Sequence, residues 1–269
     1  MLRARLATAA VAIPALLAII LYPSRWPLAV LVVAVAIVGI GEYALMAFRG
    51  RLGERVVTVS LGSALVLGSA ASAIGQDPRF LGAALVLTVA VGLAWVLFAR
   101  PDFEQGLSDL GVLLVGIFYV GLLLPHFIWL HGAGPVGPRW VIFVLVIAMA
   151  GDSGGYFVGH AIGRHKLIPR VSPGKTIEGS LGIVAASWLG AAASKLIYLH
   201  EVSWNEAFVL ATIMAILGQI GDLSESIMKR TFAVKESGWL FPGHGGVLDR
   251  IDSLLFPVAF LYYHVVLFR

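Results

Sequence analysis

The chain has 269 residues, of which 59% are hydrophobic and only 13% are charged, and its formal net charge is +4. Soluble domains usually carry about 25% charged residues, so this composition excludes an ordinary soluble domain. The net charge is too small to indicate a nucleic-acid partner, and none is expected. Cysteine is absent, which excludes disulfides, thiolate metal ligands and a cysteine nucleophile.

Nine apolar runs follow one another along the chain, and each is close to the ~20 residues that a helix needs to cross a bilayer. They fall at about 6–23, 27–48, 56–75, 80–99, 107–130, 140–163, 177–199, 205–223 and 250–268. Because a membrane-spanning backbone must satisfy its own hydrogen bonds, continuous runs predict helices, and strands are not expected. The sequence therefore predicts an all-α, polytopic integral membrane bundle of about nine transmembrane helices.

The first run follows Arg3 and Arg5, as the apolar part of a secretory signal would. Its end at 21–26 lacks the small residues of a cleavage site, and eight more runs follow, so we interpret it as a first membrane helix. We predict one membrane domain over 1–269. Residues 1–135 would build the bundle and hold lipid, and residues 136–269 would form the catalytic half.

Lysine and arginine are distributed unevenly between the two ends of the predicted helices. With the N-terminus inside, fourteen of them fall in inner segments and four in outer segments. This asymmetry predicts an N-in, C-out topology in a plasma membrane of bacterial type. The outer helix ends then carry the tryptophans of an aromatic belt, namely Trp26, Trp129, Trp140 and Trp204.

Two acids lie inside apolar runs. Glu42 is expected near the inner end of the second helix, where its side chain would extend toward water. Asp152 follows the apolar residues 141–150 and should face the bundle interior, either beside a cation or as a structural hydrogen-bond acceptor.

The segment from Ser172 to Thr176 has features that favour phosphate binding. A glycine turn, Lys175 and the start of the next helix would together present N–H groups, a cation and a positive helix dipole. The glycine spacing does not match a Walker A loop. The alternative is an ordinary helix start, with Thr176 or Ser172 as the cap and Glu178 in the first turn.

The most polar stretch lies at 221–252, at the end of the eighth run and the start of the ninth. Helical spacing places Asp222, Glu225 and Lys229 on one face, and a plain Glu225–Lys229 ion pair is the alternative for that pair. Asp249 begins the last helix. Hard oxygen ligands without cysteine suit Mg²⁺ rather than zinc, and His244 has no second histidine at ligand spacing.

At this point a family resemblance appears. Residues 226–230, Lys235 and residues 242–252 resemble the signature of phosphatidate cytidylyltransferases, also called CDP-diacylglycerol synthases. Residues 172–179 resemble a second motif of that family, and Gly221-Asp222 matches its acidic helix. Glu236 stands where the family usually has aspartate, so we leave it out of the predicted site.

The resemblance implies that CTP and phosphatidate react to give CDP-diacylglycerol and pyrophosphate. It implies Mg²⁺ held by Asp222 and Asp249, and it leaves open K⁺ as a second cation. It also implies a homodimer in the bilayer with a polar cavity open to the cytoplasm and to lipid.

The predicted site combines this resemblance with the charges described above. The residues predicted to be catalytic are Asp222, Asp249, Lys229, Arg230, His244 and Arg250. The residues predicted to bind the nucleotide and its cation are Ser172, Lys175, Thr176, Lys235, Gly245 and Gly246.

Three other functions are weighed against this one. A transporter or flippase for an anionic lipid would explain Asp152 and the basic inner face. It would not explain the glycines around His244, at 243–246, or the aspartate pair of Asp222 and Asp249. A CTP-dependent lipid kinase would release CDP rather than pyrophosphate. A purely structural membrane protein would not retain so many ionisable groups near one membrane face.

Overall fold

The computed structural model describes the backbone of residues 2–238 and 245–269, and the side chains within those ranges from residue 10 onward. Helix follows helix along the chain. The α-helices are Leu2–Leu21 (α1), Trp26–Ala47 (α2), Leu52–Gly75 (α3), Pro78–Ala99 (α4), Phe103–Gly116 (α5), His126–His131 (α6), Gly137–Ile162 (α7), Ile177–Ile197 (α8), Trp204–Thr231 (α9) and Leu248–Phe268 (α10). A π-helical turn, Ile117–Leu122, follows α5.

The predicted all-α membrane bundle is confirmed. Eight helical stretches are long and apolar enough to cross a membrane, and one of them, Phe103–His131, joins α5, the π-turn and α6. The part of α1 with described side chains, Ala10–Leu21, is apolar but shorter. Helix α9 continues to Thr231, eight residues beyond the predicted end at 223, because the polar residues that follow the apolar run keep the helical conformation.

One expectation is wrong outside the spans. Lys166–Ile168 (β1) and Ser172–Thr176 (β2) pair as an antiparallel hairpin between α7 and α8. The argument against strands applies to backbone that lies in lipid, and this polar segment lies beyond the ends of two apolar helices. The glycine turn predicted at 172–176 is therefore an extended strand.

Short polar side chains fix several helix starts. Thr176 accepts a hydrogen bond from the N–H of Gly179 at 3.1 Å and caps α8. Ser203 accepts from the N–H of Glu206 at 3.2 Å and caps α9. Each cap satisfies a backbone donor that the first helical turn leaves without an intrahelical acceptor. Of the two candidate caps for α8, the structure selects Thr176.

Helices α7 and α8 pack with their backbones in contact, as the small residues predict. A Cβ atom added to Gly154 would stand 2.5 Å from the carbonyl oxygen of Gly182. A Cβ at Gly182 would stand 2.9 Å from the carbonyl oxygen of Gly154. Glycine is required at both positions because any side chain would force the helices apart.

Charged groups sort to two opposite ends of the bundle. At one end Glu54 and Asp109 are buried, and Arg100 lies 2.5 Å from an oxygen of each. Arg51 contacts both carboxylates as well, and its hydrogen bond to Asp109 raises the pKa of the guanidinium. These four residues belong to segments that the charge count assigns to the inner face.

The other end is held by residues of predicted outer segments. The Arg25 guanidinium donates to the carbonyl of Ala73 at 2.8 Å and to that of Gly132 at 3.2 Å. Arg139 lies 3.8 Å from Glu201. Inner segments thus contact inner ones and outer segments contact outer ones, as the predicted alternation requires. Which end faces the cytoplasm stays a prediction.

The inner ion-pair network supplies a stability prediction. Asp109→Ala should lower the free energy of unfolding by about 3 kcal/mol, because it leaves two partly buried guanidinium groups with a single carboxylate. Glu201→Ala should change it by less than about 1 kcal/mol, because exposed ion pairs contribute little. Thermal unfolding in detergent measures both, and equal losses would show that the network is not a stabilising element.

Candidate active site

A polar crevice opens between α7, α8, α9 and the hairpin, with a volume of about 480 Å³. Lys175 and Thr176 of β2, Asp152 of α7 and Asp222 of α9 all line it. A much smaller cavity of about 30 Å³ shares Asp152 and Asp222 with the crevice and reaches Gln219. The polar space therefore continues from the hairpin end into the helix bundle.

Lys175 and Asp222 form the centre of this crevice. The Lys175 Nζ atom lies 2.7 Å from Asp222 Oδ2. The pair lacks hydrogen-bond geometry, and within the described residues the buried ammonium has no hydrogen-bond acceptor. The ion pair with Asp222 offsets part of the cost of burying this cation, and its N–H donors are left without acceptors among the described residues. This ammonium is suited to an anionic ligand such as a phosphate oxygen.

Two further acids join Asp222, and the predicted site residues do not include them. Asp252, near the start of α10, is buried and close enough to Asp222 and Asp152 for the three carboxylates to repel one another. Both were visible in the sequence, Asp152 as an acid within an apolar run and Asp252 as the last residue of the signature. Their convergence depends on the packing of α7, α9 and α10.

Asp249 is held by contacts from three directions. Its Oδ1 accepts from Lys229 Nζ at 2.6 Å, and Lys229 also pairs with the buried Glu225. Its Oδ2 accepts from the N–H and Oγ of Ser237 at 3.0 and 2.8 Å, and from the N–H of Gly246 at 2.8 Å. The predicted Glu225–Lys229 ion pair is present, and it is part of a larger network centred on Asp249.

Glu42 anchors the same region from α2. Its side chain accepts from the N–H of Val247 at 3.0 Å and from that of Leu248 at 2.9 Å. It therefore caps α10, whose own N-cap residue makes no side-chain hydrogen bond. The expectation that Glu42 extends toward water is wrong, because only 7% of the residue is exposed.

The remaining predicted residues lie around these two centres. Arg230 Nε donates to the carbonyl of Val171 in the hairpin at 3.2 Å, and Arg230 and Lys235 line a separate open pocket of about 460 Å³. Arg250 is close enough to Asp152 to attract it electrostatically. Ser172 begins β2.

Two glycines and a histidine complete the predicted set. Gly245 has a positive φ of 75°, a conformation that favours glycine, and Gly246 donates to Asp249. His244 lies outside the described residues. The functional roles of the whole set stay predictions.

The oxygen donors are of the type that Mg²⁺ prefers. Magnesium is commonly bound by one or two carboxylates together with substrate phosphates, rather than by a complete protein cage. Asp222 is partly exposed in the crevice. A carboxylate has about four lone-pair sites, so Asp222 can contact Lys175 and still bind a further ligand. The described part of the chain contains no group of three or more acidic or histidine side chains arranged around a metal position.

Comparison with known proteins adds an independent finding. The profile described as the cytidylyltransferase family matches residues 3–268. The phosphatidate cytidylyltransferase of Bacillus subtilis strain 168 is 35% identical over 161 residues, 60% of each chain. That of Brucella suis is 40% identical over 158 residues, 59% of this chain and 58% of the relative. That of Staphylococcus epidermidis is 39% identical over 170 residues, 63% of each chain. The chain thus matches about three fifths of the length of these curated relatives.

The contacts of Glu42 predict its effect on stability. Glu42→Ala should lower the free energy of unfolding by about 3 kcal/mol, because it leaves two buried N–H groups without an acceptor. Glu236→Ala removes an exposed acid next to Ser237 and should change stability by less than about 0.5 kcal/mol. Chemical or thermal unfolding in detergent tests the pair. A Glu42→Ala protein as stable as wild type would contradict the capping role.

Proposed function

The chain belongs to the cytidylyltransferase family, and we propose that it transfers CMP from CTP to phosphatidate, giving CDP-diacylglycerol and pyrophosphate. The observation that carries this proposal is the buried Lys175 ammonium, which lines the crevice beside Asp222 without a hydrogen-bond acceptor. The names of the curated relatives support the choice of substrates.

The reaction is an in-line displacement at phosphorus. An oxygen of the phosphatidate phosphate attacks the α-phosphorus of CTP, and a new P–O bond forms. The bond from the α-phosphorus to the oxygen that bridges to the β-phosphorus breaks, and pyrophosphate leaves with that electron pair. The attacking phosphate is already an anion, so the step needs no strong general base.

The main barrier is repulsion between the lipid phosphate and the triphosphate. Lys175 would bind phosphate oxygens in the crevice, and Lys229, Arg230 and Arg250 would supply further positive charge around it. Fixed cations also hold the two anions in line, which lowers the entropic cost of bringing them together. The Asp249 network supports this role by fixing the Lys229 ammonium.

Asp222 and Asp249 would hold Mg²⁺, with K⁺ left open as a second cation. When bound, the divalent ion supplies charge neutralisation on the α-phosphate and on the departing pyrophosphate. Asp249 Oδ1 contacts Lys229, while its other oxygen accepts three hydrogen bonds.

We place this site at the cytoplasmic face of a bacterial plasma membrane, in a homodimer. The positive-inside asymmetry of lysine and arginine supports the orientation, because the crevice lies among the segments rich in these residues. The cytoplasm is also where CTP is available.

Pyrophosphate release tests the proposed reaction. Purified protein in detergent with CTP, phosphatidate and Mg²⁺ should release pyrophosphate only when all three are present. Asp222→Asn and Asp249→Asn should each abolish turnover. Lys175→Gln should lower the turnover rate about 10- to 1000-fold, as the loss of one charge-stabilising donor does. A chelator should abolish release, and added Mg²⁺ should restore it.

The matched control is Glu104→Gln, which neutralises an exposed acid at the start of α5 and should retain full activity. Near-wild-type rates in folded Asp222→Asn and Asp249→Asn proteins would contradict the metal assignment. Release of CDP instead of pyrophosphate would favour a lipid kinase. No turnover by folded wild-type protein would favour a transporter, and lipid flux across liposomes would be measured next.

The absence of cysteine makes the proposed orientation directly testable. Arg170→Cys places a thiol in the hairpin, and His200→Cys places one between α8 and α9, at the opposite end of α8. Both positions are exposed. In intact cells a membrane-impermeant thiol reagent should label His200→Cys, and it should label Arg170→Cys only after permeabilisation. The reverse pattern would invert the topology.

A further inference from the structure

Two aromatic rings of α7 line the crevice that contains Lys175. Tyr156 and His160 stack nearly parallel, with ring centroids 5.8 Å apart and an interplanar angle of 14°. Tyr156 is 65% exposed, so most of this large side chain faces open space. The closest approach of α7 and α8 is at Gly154 and Gly182.

The neighbouring residue shows that this exposure is not simply contact with lipid. Phe157 is 68% exposed and touches the ring of Tyr156 edge-on, with centroids 5.5 Å apart. Phe157 does not line the crevice, whereas Tyr156 does. Lipid therefore explains Phe157, whereas Tyr156 borders the crevice that contains Lys175 and Asp222, where a ligand can contact its ring.

The crevice is continuous from these rings to the Lys175–Asp222 pair. One end offers an aromatic surface and the other offers a cation and carboxylates. Its volume of about 480 Å³ lies within the range for small-molecule sites, so it can hold a nucleotide. A nucleoside triphosphate has the matching halves, because its base is a flat π-system and its phosphates are anionic.

We propose that the Tyr156–His160 ring pair is the platform on which the cytosine base of CTP stacks. This assignment rests on the proposed function and adds a base subsite to it. With the base on the rings, the triphosphate extends along the crevice toward Lys175 and Asp222. Every nucleobase has a π-face, so the platform contributes affinity without selecting cytosine over uracil.

The first test separates the base from the phosphates. Tyr156→Leu should raise the KM for CTP by about 5- to 100-fold, the range expected for the loss of one base–aromatic stack. Tyr156→Phe keeps the aromatic ring, and its KM for CTP should lie within about twofold of the wild-type value, because the π-face makes the stack. Phe157→Leu removes the adjacent ring outside the crevice and should leave the KM unchanged. His160→Leu provides a second variant of the platform and should also raise the KM.

Inorganic tripolyphosphate serves as a ligand without a base. Its inhibition constant against CTP should be the same for wild type and Tyr156→Leu, because it occupies only the phosphate end. A general structural defect would weaken the binding of tripolyphosphate and the binding of CTP together. The KM for phosphatidate should also stay constant, and the preference for CTP over UTP should be retained.

Several results would overturn the assignment. An unchanged KM for CTP in active Tyr156→Leu protein would overturn the platform while leaving the proposed reaction standing. A rise in the KM for phosphatidate alone would assign the rings to the lipid instead. Equal effects of Phe157→Leu and Tyr156→Leu would indicate helix packing. No pyrophosphate release by wild-type protein would overturn the proposed function and this subsite with it.

Discussion

The buried carboxylate of Glu42 is the interaction on which the candidate site depends. It satisfies the N–H groups of Val247 and Leu248 at the start of α10, and Ser237 Oγ lies 3.4 Å from it. One turn later, Asp249 binds Ser237 and Gly246. Glu42 and Asp249 thus hold the chain on both sides of residues 239–244. Because α2 supplies one of them, the scaffold of the site extends into the first half of the sequence.

Two cations of the site are paired with acids before any substrate binds. Lys175 faces Asp222, and Lys229 lies between Asp249 and Glu225. This pairing lowers the cost of burying charge in a membrane protein, where an unpaired ion is expensive. It also means that an incoming phosphate competes with a carboxylate for each ammonium. The least satisfied cation, Lys175, is the one that lines the open crevice.

The sequence predicted the helices well because hydropathy reports directly on lipid exposure, and the nine apolar runs correspond to helical stretches of the fold. The hairpin at 166–176 was not predicted, because β-pairing depends on residues beyond the apolar runs. The approach of Asp152 and Asp252 to Asp222 was also missed, since it arises from the packing of three helices. The prediction that the Glu42 side chain extends toward water is wrong because its partners, the N–H groups of Val247 and Leu248, lie some two hundred positions away in the chain.

The glycine contact between α7 and α8 has a mechanical consequence. Where two backbones touch, no side chain can rotate to absorb a displacement, so the helices move together as one stiff plate. That plate forms one wall of the crevice, and the ring pair projects from it. Any widening that admits a two-chain lipid must therefore come from the opposite side, where α9 and the hairpin meet through the Lys175–Asp222 ion pair and the hydrogen bond from Arg230 to Val171.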